Sequence, residues 1–306
     1  MTGSIKSASI KGSVAISLAA IMWGLDGVVL TPRLYNLDVG YVVFMLHLIP
    51  FLIMNLFLFK EYRYLKTFSR SDFFIFLLIS LSGGAIGTIA IVKALFLLNF
   101  NHLSIVVLLQ KLQPIFAILL ATSWLGERLR KNFLGYAALA IAGGYFLTFG
   151  FALPDISTGE NTVYASLLAL LAALAFGSST VLSKKILGSY NFVTSTFYRY
   201  GFTTFLMFLF MLFFGDFGQI QVTTSTNWLF IMIICLTTGS GAIFLYYYGL
   251  RKVQAIMATI SELLFPVSAI LFDYLINGSV FSIIQWISAI VMVFAIIRIN
   301  ASGSKA

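Results

Sequence analysis

Ten long apolar stretches run through this chain, and its basic residues fall in every second connection between them. Of the 19 Lys+Arg, 15 lie in the N-terminal tail, in alternate loops and in the C-terminal tail. Arg33 sits in a loop of the other set, and three (Lys93, Lys111 and Arg199) sit inside apolar stretches. A chain threaded back and forth through a bilayer has a reason to sort charge this way, because basic loops are retained on the cytoplasmic side. Crossing the hydrocarbon core takes about 20 apolar residues. The stretches near 13–31, 39–59, 73–97, 103–123, 133–151, 163–183, 192–214, 228–249, 253–273 and 281–299 meet that length. They predict an all-α integral membrane protein of ten transmembrane helices. A membrane β-barrel would instead show alternating segments of about 10 residues.

On one side lie Lys6 and Lys11, then Lys60, Arg63, Lys66 and Arg70, then Arg128, Arg130 and Lys131, then Lys184 and Lys185, then Arg251 and Lys252, and finally Arg298 and Lys305. On the other side Asp38, Asp155, Glu160 and Asp216 face only Arg33. Both termini are therefore expected in the cytoplasm. The loops are too short to form an extramembrane domain with an active site. Charged residues make up only 9% of the chain, against roughly 25% for a soluble domain. The net charge of +9 sits in short juxtamembrane loops, where it sets orientation and meets anionic headgroups, so it does not point to nucleic acid. Cys235 is the single cysteine, which excludes an internal disulfide. No cleavable signal peptide is read at the N-terminus, because the first apolar run is itself long enough to span.

The two halves resemble each other. Trp23-Gly24 matches Phe176-Gly177, Pro114 matches Pro266, Gly87 matches Gly239 and Gln110 matches Glu262, all at nearly the same offset. Residues 1–151 and 152–306 would each hold five spans. An odd number makes the second half enter from the opposite side, so the repeat is inverted. Secondary transporters use this construction, with a solute site near the midplane where the two bundles meet. Trp23-Gly24, the run Leu112-Gln113-Pro114 leading to Leu125-Gly126-Glu127-Arg128, the Gly143-Gly144 pair, and Phe176-Gly177 followed by Glu262-Leu263-Leu264-Phe265-Pro266 resemble two EamA-type modules in tandem. That arrangement is similar to the ten-span drug/metabolite transporters. The resemblance implies an inner-membrane carrier whose central cavity is lined by spans 1, 3, 4, 6, 8 and 9 and which moves small metabolites, often amino acids. In one departure Ser279 stands where the first half has Glu127, so that end should lack a matching cap or salt bridge.

Ionisable groups inside a bilayer are costly, so each is a site candidate. Glu262 lies roughly 13 Å into its span at 1.5 Å per residue, and Lys111 is similarly deep. A Lys111–Glu262 pair across the repeat axis would bind a zwitterionic solute, exchange a proton, or simply bridge the bundles. Gln110 and Gln113 share a helix face just before Pro114, and Pro114 and Pro266 are candidate hinges because proline removes a backbone donor and bends the helix. Asp26 would bind a cation or carry a proton, or pair with Lys93 or Lys111. Lys93 would clamp an anionic group or reach the outer headgroups. Arg199, near the cytoplasmic start of its span, reads first as snorkelling or structurally paired, and His47 as a packed helix residue. Tyr246, Tyr247 and Tyr248 read as an interfacial belt from which Tyr246 would reach the cavity. The 31 phenylalanines read as lipid-facing or core bulk.

No phosphate loop, metal-ligand cluster or nucleophile motif is present, so neither an enzyme nor a cofactor is expected. Energy would come from the solute gradient, from exchange, or from a coupling proton or sodium ion. The expected function is inner-membrane secondary transport of a small polar or zwitterionic, amino-acid-like metabolite by alternating access, in a monomer or homodimer. A proton-coupled efflux carrier for hydrophobic or cationic drugs, and a non-transporting structural or receptor subunit, are the alternatives.

Overall fold

The computed structural model describes residues 2–98, 106, 109–129, 132–153 and 160–303, with backbone alone for residues 2–6, 160, 302 and 303. Arg130, Lys131, Asp155 and Lys305, and the first part of the fourth apolar stretch, lie outside the described residues, as do the side chains of Lys6 and Glu160. The described chain is helical, without a strand. Eight helices are long and apolar enough to cross a membrane: α1 (Ser7–Leu34), α2 (Val39–Lys66), α3 (Arg70–Leu97), α6 (Asn161–Ile186), α7 (Phe192–Phe214), α8 (Ser225–Leu250), α9 (Ala255–Asn277) and α10 (Ile283–Ala301). Two shorter apolar helices, α4 (Gln113–Trp124) and α5 (Phe133–Phe149), occupy the places of the fourth and fifth expected spans.

Polar side chains set where helices start by taking up the N–H groups that the first turn leaves free. Asp38 accepts from Tyr41 N at the head of α2, and Asn191 from Thr194 N at the head of α7. Ser69–Asp72 and Thr224–Asn227 form reciprocal capping boxes at α3 and α8. The head of α9 is different. Gln254 offers no side-chain cap, and Glu127, from the α4–α5 connection, accepts from Ala255 N at 2.8 Å and Ile256 N at 3.0 Å. Beside it the Lys184 ammonium donates to Leu250 O and Arg251 O, covering the last carbonyls of α8. A carboxylate at a helix N-terminus and an ammonium at a C-terminus both suit the helix dipole. Ser279, at the place equivalent to Glu127, contributes only its backbone N–H, to Asp273 O.

Helix packing follows the internal repeat. With an offset near 152, α1 corresponds to α6, α2 to α7, α3 to α8, α4 to α9 and α5 to α10. The packed pairs exchange under that correspondence: α1 lies on α8 and α3 on α6, α4 lies on α6 and α9 on α1, while α2 pairs with α7 and α5 with α10. Small residues permit the closest approaches: a Cβ on Gly249 would stand 2.5 Å from Gly12 O. Corresponding distortions also recur. Ser80–Ile86 in α3 and Cys235–Gly239 in α8 are π-helical turns, and Asp26–Leu30 in α1 is a third. α9 is interrupted at Glu262–Leu263, just before Pro266, and a turn at Lys111–Leu112 precedes Pro114 at the head of α4. Proline has no N–H for the carbonyl four residues before it: Pro114 leaves Gln110 O without its helical donor, and Pro266 leaves Glu262 O, which accepts instead from Phe265 N at 2.9 Å.

Glu127→Ala removes both acceptors from the head of α9. Loss of a helix cap costs about 1–2 kcal/mol, so thermal unfolding of the purified protein should move to lower temperature, with Glu127→Gln falling between the variant and wild type.

Candidate functional site

The interrupted helices meet on the wall of a cavity of about 340 Å³. Its walls come from α1 (Trp23, Asp26, Thr31), α2 (Leu46, His47), α3 (Gly83, Thr88, Leu95), α6 (Phe176, Ser179, Thr180), α7 (Arg199, Tyr200), α8 (Thr238, Tyr246) and α9 (Thr259, Glu262, Pro266), with Gln110, Lys111, Gln113 and Pro114 from the α4 break. It runs from mid-depth toward Thr31 and Leu95, near the ends of α1 and α3 away from the basic loops. Beneath Thr180 and Tyr246, on the basic-loop side, Ser183 bonds the Tyr247 hydroxyl at 2.7 Å, and the Lys184 and Glu127 caps follow. Breaks in membrane helices are tolerated where they line such a space.

Glu262 is held without a cation. Its Oε2 accepts from Gln113 Nε2 at 2.5 Å, its Oε1 from the Tyr246 hydroxyl at 2.7 Å, and Tyr246 also hydrogen-bonds Thr180 at 2.8 Å. Gln113 and Glu262 thus join the two halves at their matching breaks. The expected Lys111–Glu262 pair does not form. Lys111 turns its stem against α5, where Gly144 leaves room: a Cβ there would stand 3.1 Å from Lys111 Cδ. Its ammonium donates to Gly144 O at 2.8 Å and to the Thr148 hydroxyl. Gly144 therefore makes space for the lysine, whereas Gly143 makes space for Met292 of α10, and Lys111 and Glu262 have separate partners. Asp26 pairs with neither Lys93 nor Lys111; its Oδ1 accepts from the Thr31 hydroxyl at 2.9 Å across the π-turn.

Nine residues were singled out from sequence for solute, coupling or hinge roles. Asp26, Gln110, Lys111, Gln113, Tyr246, Glu262, Pro114 and Pro266 all line the cavity. Lys93 does not; it is exposed on α3.

Arg199 was expected to snorkel or to be structurally paired; it is only 8% exposed and lines the cavity. Its Nη1 donates to the Tyr247 hydroxyl at 3.1 Å, and its guanidinium lies 5.6 Å from that ring centroid. No carboxylate pairs with it. Its presence inside an apolar stretch was the available signal, and its distance from the helix start obscured it. His47 is packed as expected, with Nδ1 on Val43 O at 2.8 Å and its ring 5.4 Å from Tyr200, but it also lines the cavity. Trp23 and Tyr246 meet at 5.4 Å between centroids, and Phe176 and Phe265 belong to the same wall, so two phenylalanines read as bulk have a specific position. Thr259, one helical turn before Glu262, is fully buried with its hydroxyl unpartnered; nothing in the sequence separates it from other span threonines.

The EamA-like transporter family model matches residues 10–149 and 163–301. The chain belongs to this family, and it is a multi-pass membrane transporter of small-molecule solutes. Among its relatives is the riboflavin transporter ImpX of Fusobacterium nucleatum subsp. nucleatum (strain ATCC 23726 / VPI 4351), 51% identical over 292 residues, which span 95% of this chain and 98% of the relative. One solved crystal structure superposes with a TM-score of 0.65 at 17% identity, covering 96% of this chain and 95% of its own, and so shares the fold.

Two substitutions separate cavity from surface. Lys93→Gln should change ligand binding by less than about twofold, as for surface positions generally. Gly144→Val should force Lys111 from its place and destabilise the protein by about 1–3 kcal/mol, the usual cost of overpacking, read as a lower unfolding temperature.

Proposed function

We propose that this protein is a ten-helix secondary transporter of riboflavin or a closely similar flavin in the bacterial inner membrane, with both termini cytoplasmic and with cytoplasmic Glu127 and Lys184 caps. The identity of 51% with a riboflavin transporter along nearly the whole of both chains is the observation that carries the substrate.

The cavity agrees with it. A flavin has a flat tricyclic ring, an imide edge and a polyol tail. Trp23, Phe176, Tyr246 and Phe265 provide aromatic surface for the ring, and glutamines, threonines, Arg199 and Glu262 provide hydrogen-bonding groups for the edge and tail. The volume of about 340 Å³ lies within the roughly 300–1,000 Å³ of small-molecule sites. An amino-acid-like solute would leave much of that aromatic wall without contact, and Lys111, half of the charge pair that suggested such a solute, is occupied by α5. Alternating access fits the pseudo-two-fold packing: rocking one five-helix unit against the other would part the contacts below Tyr246 and close the space near Thr31 and Leu95. Residues 1–151 and 152–306 are those units, and a proton or sodium ion at Asp26 or Glu262 is the coupling option that the cavity offers.

Purified protein titrated into riboflavin should quench the flavin's fluorescence saturably, and cells that cannot synthesise riboflavin should grow on low external riboflavin when they express the chain. Absence of both effects, with folded protein in the membrane, would exclude flavin as the solute. Trp23→Ala should weaken the quenching titration by about 5- to 100-fold, the worth of about 1–3 kcal/mol per stacked aromatic contact.

A further inference from the structure

Arg199 and Glu262 both line the cavity without an ionic partner, and a pair of adjacent tyrosines is hydrogen-bonded to them. Arg199 donates to the Tyr247 hydroxyl at 3.1 Å, Glu262 accepts from the Tyr246 hydroxyl at 2.7 Å, and the two tyrosine rings are 6.0 Å apart. Both side chains have unused capacity. A guanidinium carries five N–H groups, and Tyr247 is the one side-chain hydrogen-bond acceptor recorded for Arg199. Each Glu262 oxygen takes one bond, from Gln113 or Tyr246, and has a lone pair left. Thr259, one turn before Glu262, adds a buried hydroxyl with no partner. A buried cation with unfilled donors in a low-dielectric space is costly unless something fills them. Glu262 does not fill them: its bonds are to Gln113 and Tyr246. A ligand that presents an acceptor to Arg199 and a donor to Glu262 would satisfy both.

We propose that Arg199 and Glu262 are the specificity residues that read the imide edge of the flavin ring, Arg199 donating to a ring carbonyl and Glu262 accepting from the N–H between the two carbonyls. This assignment rests on the flavin reading above. A site built to bond a substrate N–H rejects an analogue lacking it, because the site's own polar group is left unpaired. Glu262 is then a recognition residue as well as a coupling candidate, and Arg199 has a role that no structural bridge explains.

The test is fluorescence titration of the full-length purified protein with riboflavin and with its ring-N3-methyl analogue, which keeps the ring, carbonyls and tail but has no imide N–H. Wild type should bind riboflavin about 10- to 100-fold more tightly than the analogue, the worth of a hydrogen bond to a charged group. In Glu262→Gln that ratio should fall to near one, because the carboxamide places a donor against Gln113 or Tyr246 and breaks the acceptor array. Arg199→Gln should weaken both ligands by about the same 10- to 100-fold and leave the ratio standing. Equal binding of the two ligands by wild type, a measurement that needs no variant to fold, would overturn the proposal while leaving flavin transport intact. A ratio that survives Glu262→Gln would show that the methyl group is merely excluded by size, and would overturn the role of Glu262. Failure of wild type to bind riboflavin at all would remove the flavin reading and this inference together.

Discussion

A membrane-spanning backbone has to bond its own polar groups, and this chain fails to do so in the same place twice. α9 stops at Glu262–Leu263 and restarts, and the chain turns at Lys111–Leu112 before α4. Each interruption precedes a proline that cannot donate. In hydrocarbon such a break is admissible only if protein or a water-accessible cavity surrounds it. The breaks therefore have to lie inside the bundle, and the remaining helices have to enclose them. The cavity is the space left when the other helices pack around the two broken ones, and the polar residues beside the prolines line it. The π-turns of α1, α3 and α8 add to this, since each shifts the helical register by a fraction of a turn at a wall of the same space.

The charges within the bundle follow a second constraint. An ion pair buried in a low-dielectric interior gains little net stability, because desolvation offsets the attraction. Here Lys111, Asp26 and Glu262 are each held by neutral groups: Gly144 O and the Thr148 hydroxyl, the Thr31 hydroxyl, and Gln113 with Tyr246. Neutral partners hold each side chain in place without an ionic bridge, Lys111 against α5 and Asp26 and Glu262 on the cavity wall. A Lys111–Glu262 bridge would have joined the halves more tightly and taken both groups out of use. The joining is done instead by neutral and capping contacts, chiefly Gln113 to Glu262 across the breaks and Glu127 to the head of α9.

Much of this architecture is legible in the sequence, because bilayer physics writes itself in long-range statistics. Apolar length marks the spans, and the Pro114–Pro266 spacing marks both the repeat and the breaks. Depth along a helix is legible too, which is why eight of the nine chosen residues line one cavity. Azimuth is less so. Lys93 lies in an apolar stretch, but on the exposed face of α3, and adjacent positions on a helix differ by about 100°, so no count of residues could show which way it points. Arg199 fails for the opposite reason: its nearness to the helix start suggested escape to the interface, whereas Tyr247 and the surrounding α2, α3 and α8 hold it inward. The partner of Lys111 was hidden because it depends on an absence, the missing side chain of Gly144, and a glycine pair reads equally as packing.

The repeat is symmetric in its backbone and asymmetric in its chemistry, and the difference bears on direction. Glu262 corresponds to Gln110, Asp26 to Ser179 and Glu127 to Ser279, so in each pair only one half carries the charge. Under the proposed alternating access, the repeated frame would offer two related arrangements, one open to each side. The side chains then decide how far the two arrangements differ. Glu127 caps the head of α9 with two backbone bonds, and the equivalent position in the second half is Ser279. In that cycle the two Glu127 bonds would have to be overcome to part the helices on their side, and a ligand shifts the balance only by binding the two arrangements unequally. The residues placed to sense such a difference are those that sit at the seam between halves and bond across it, and Glu262, bonded to Gln113 from the opposite unit, is the one charged group that does so within the cavity.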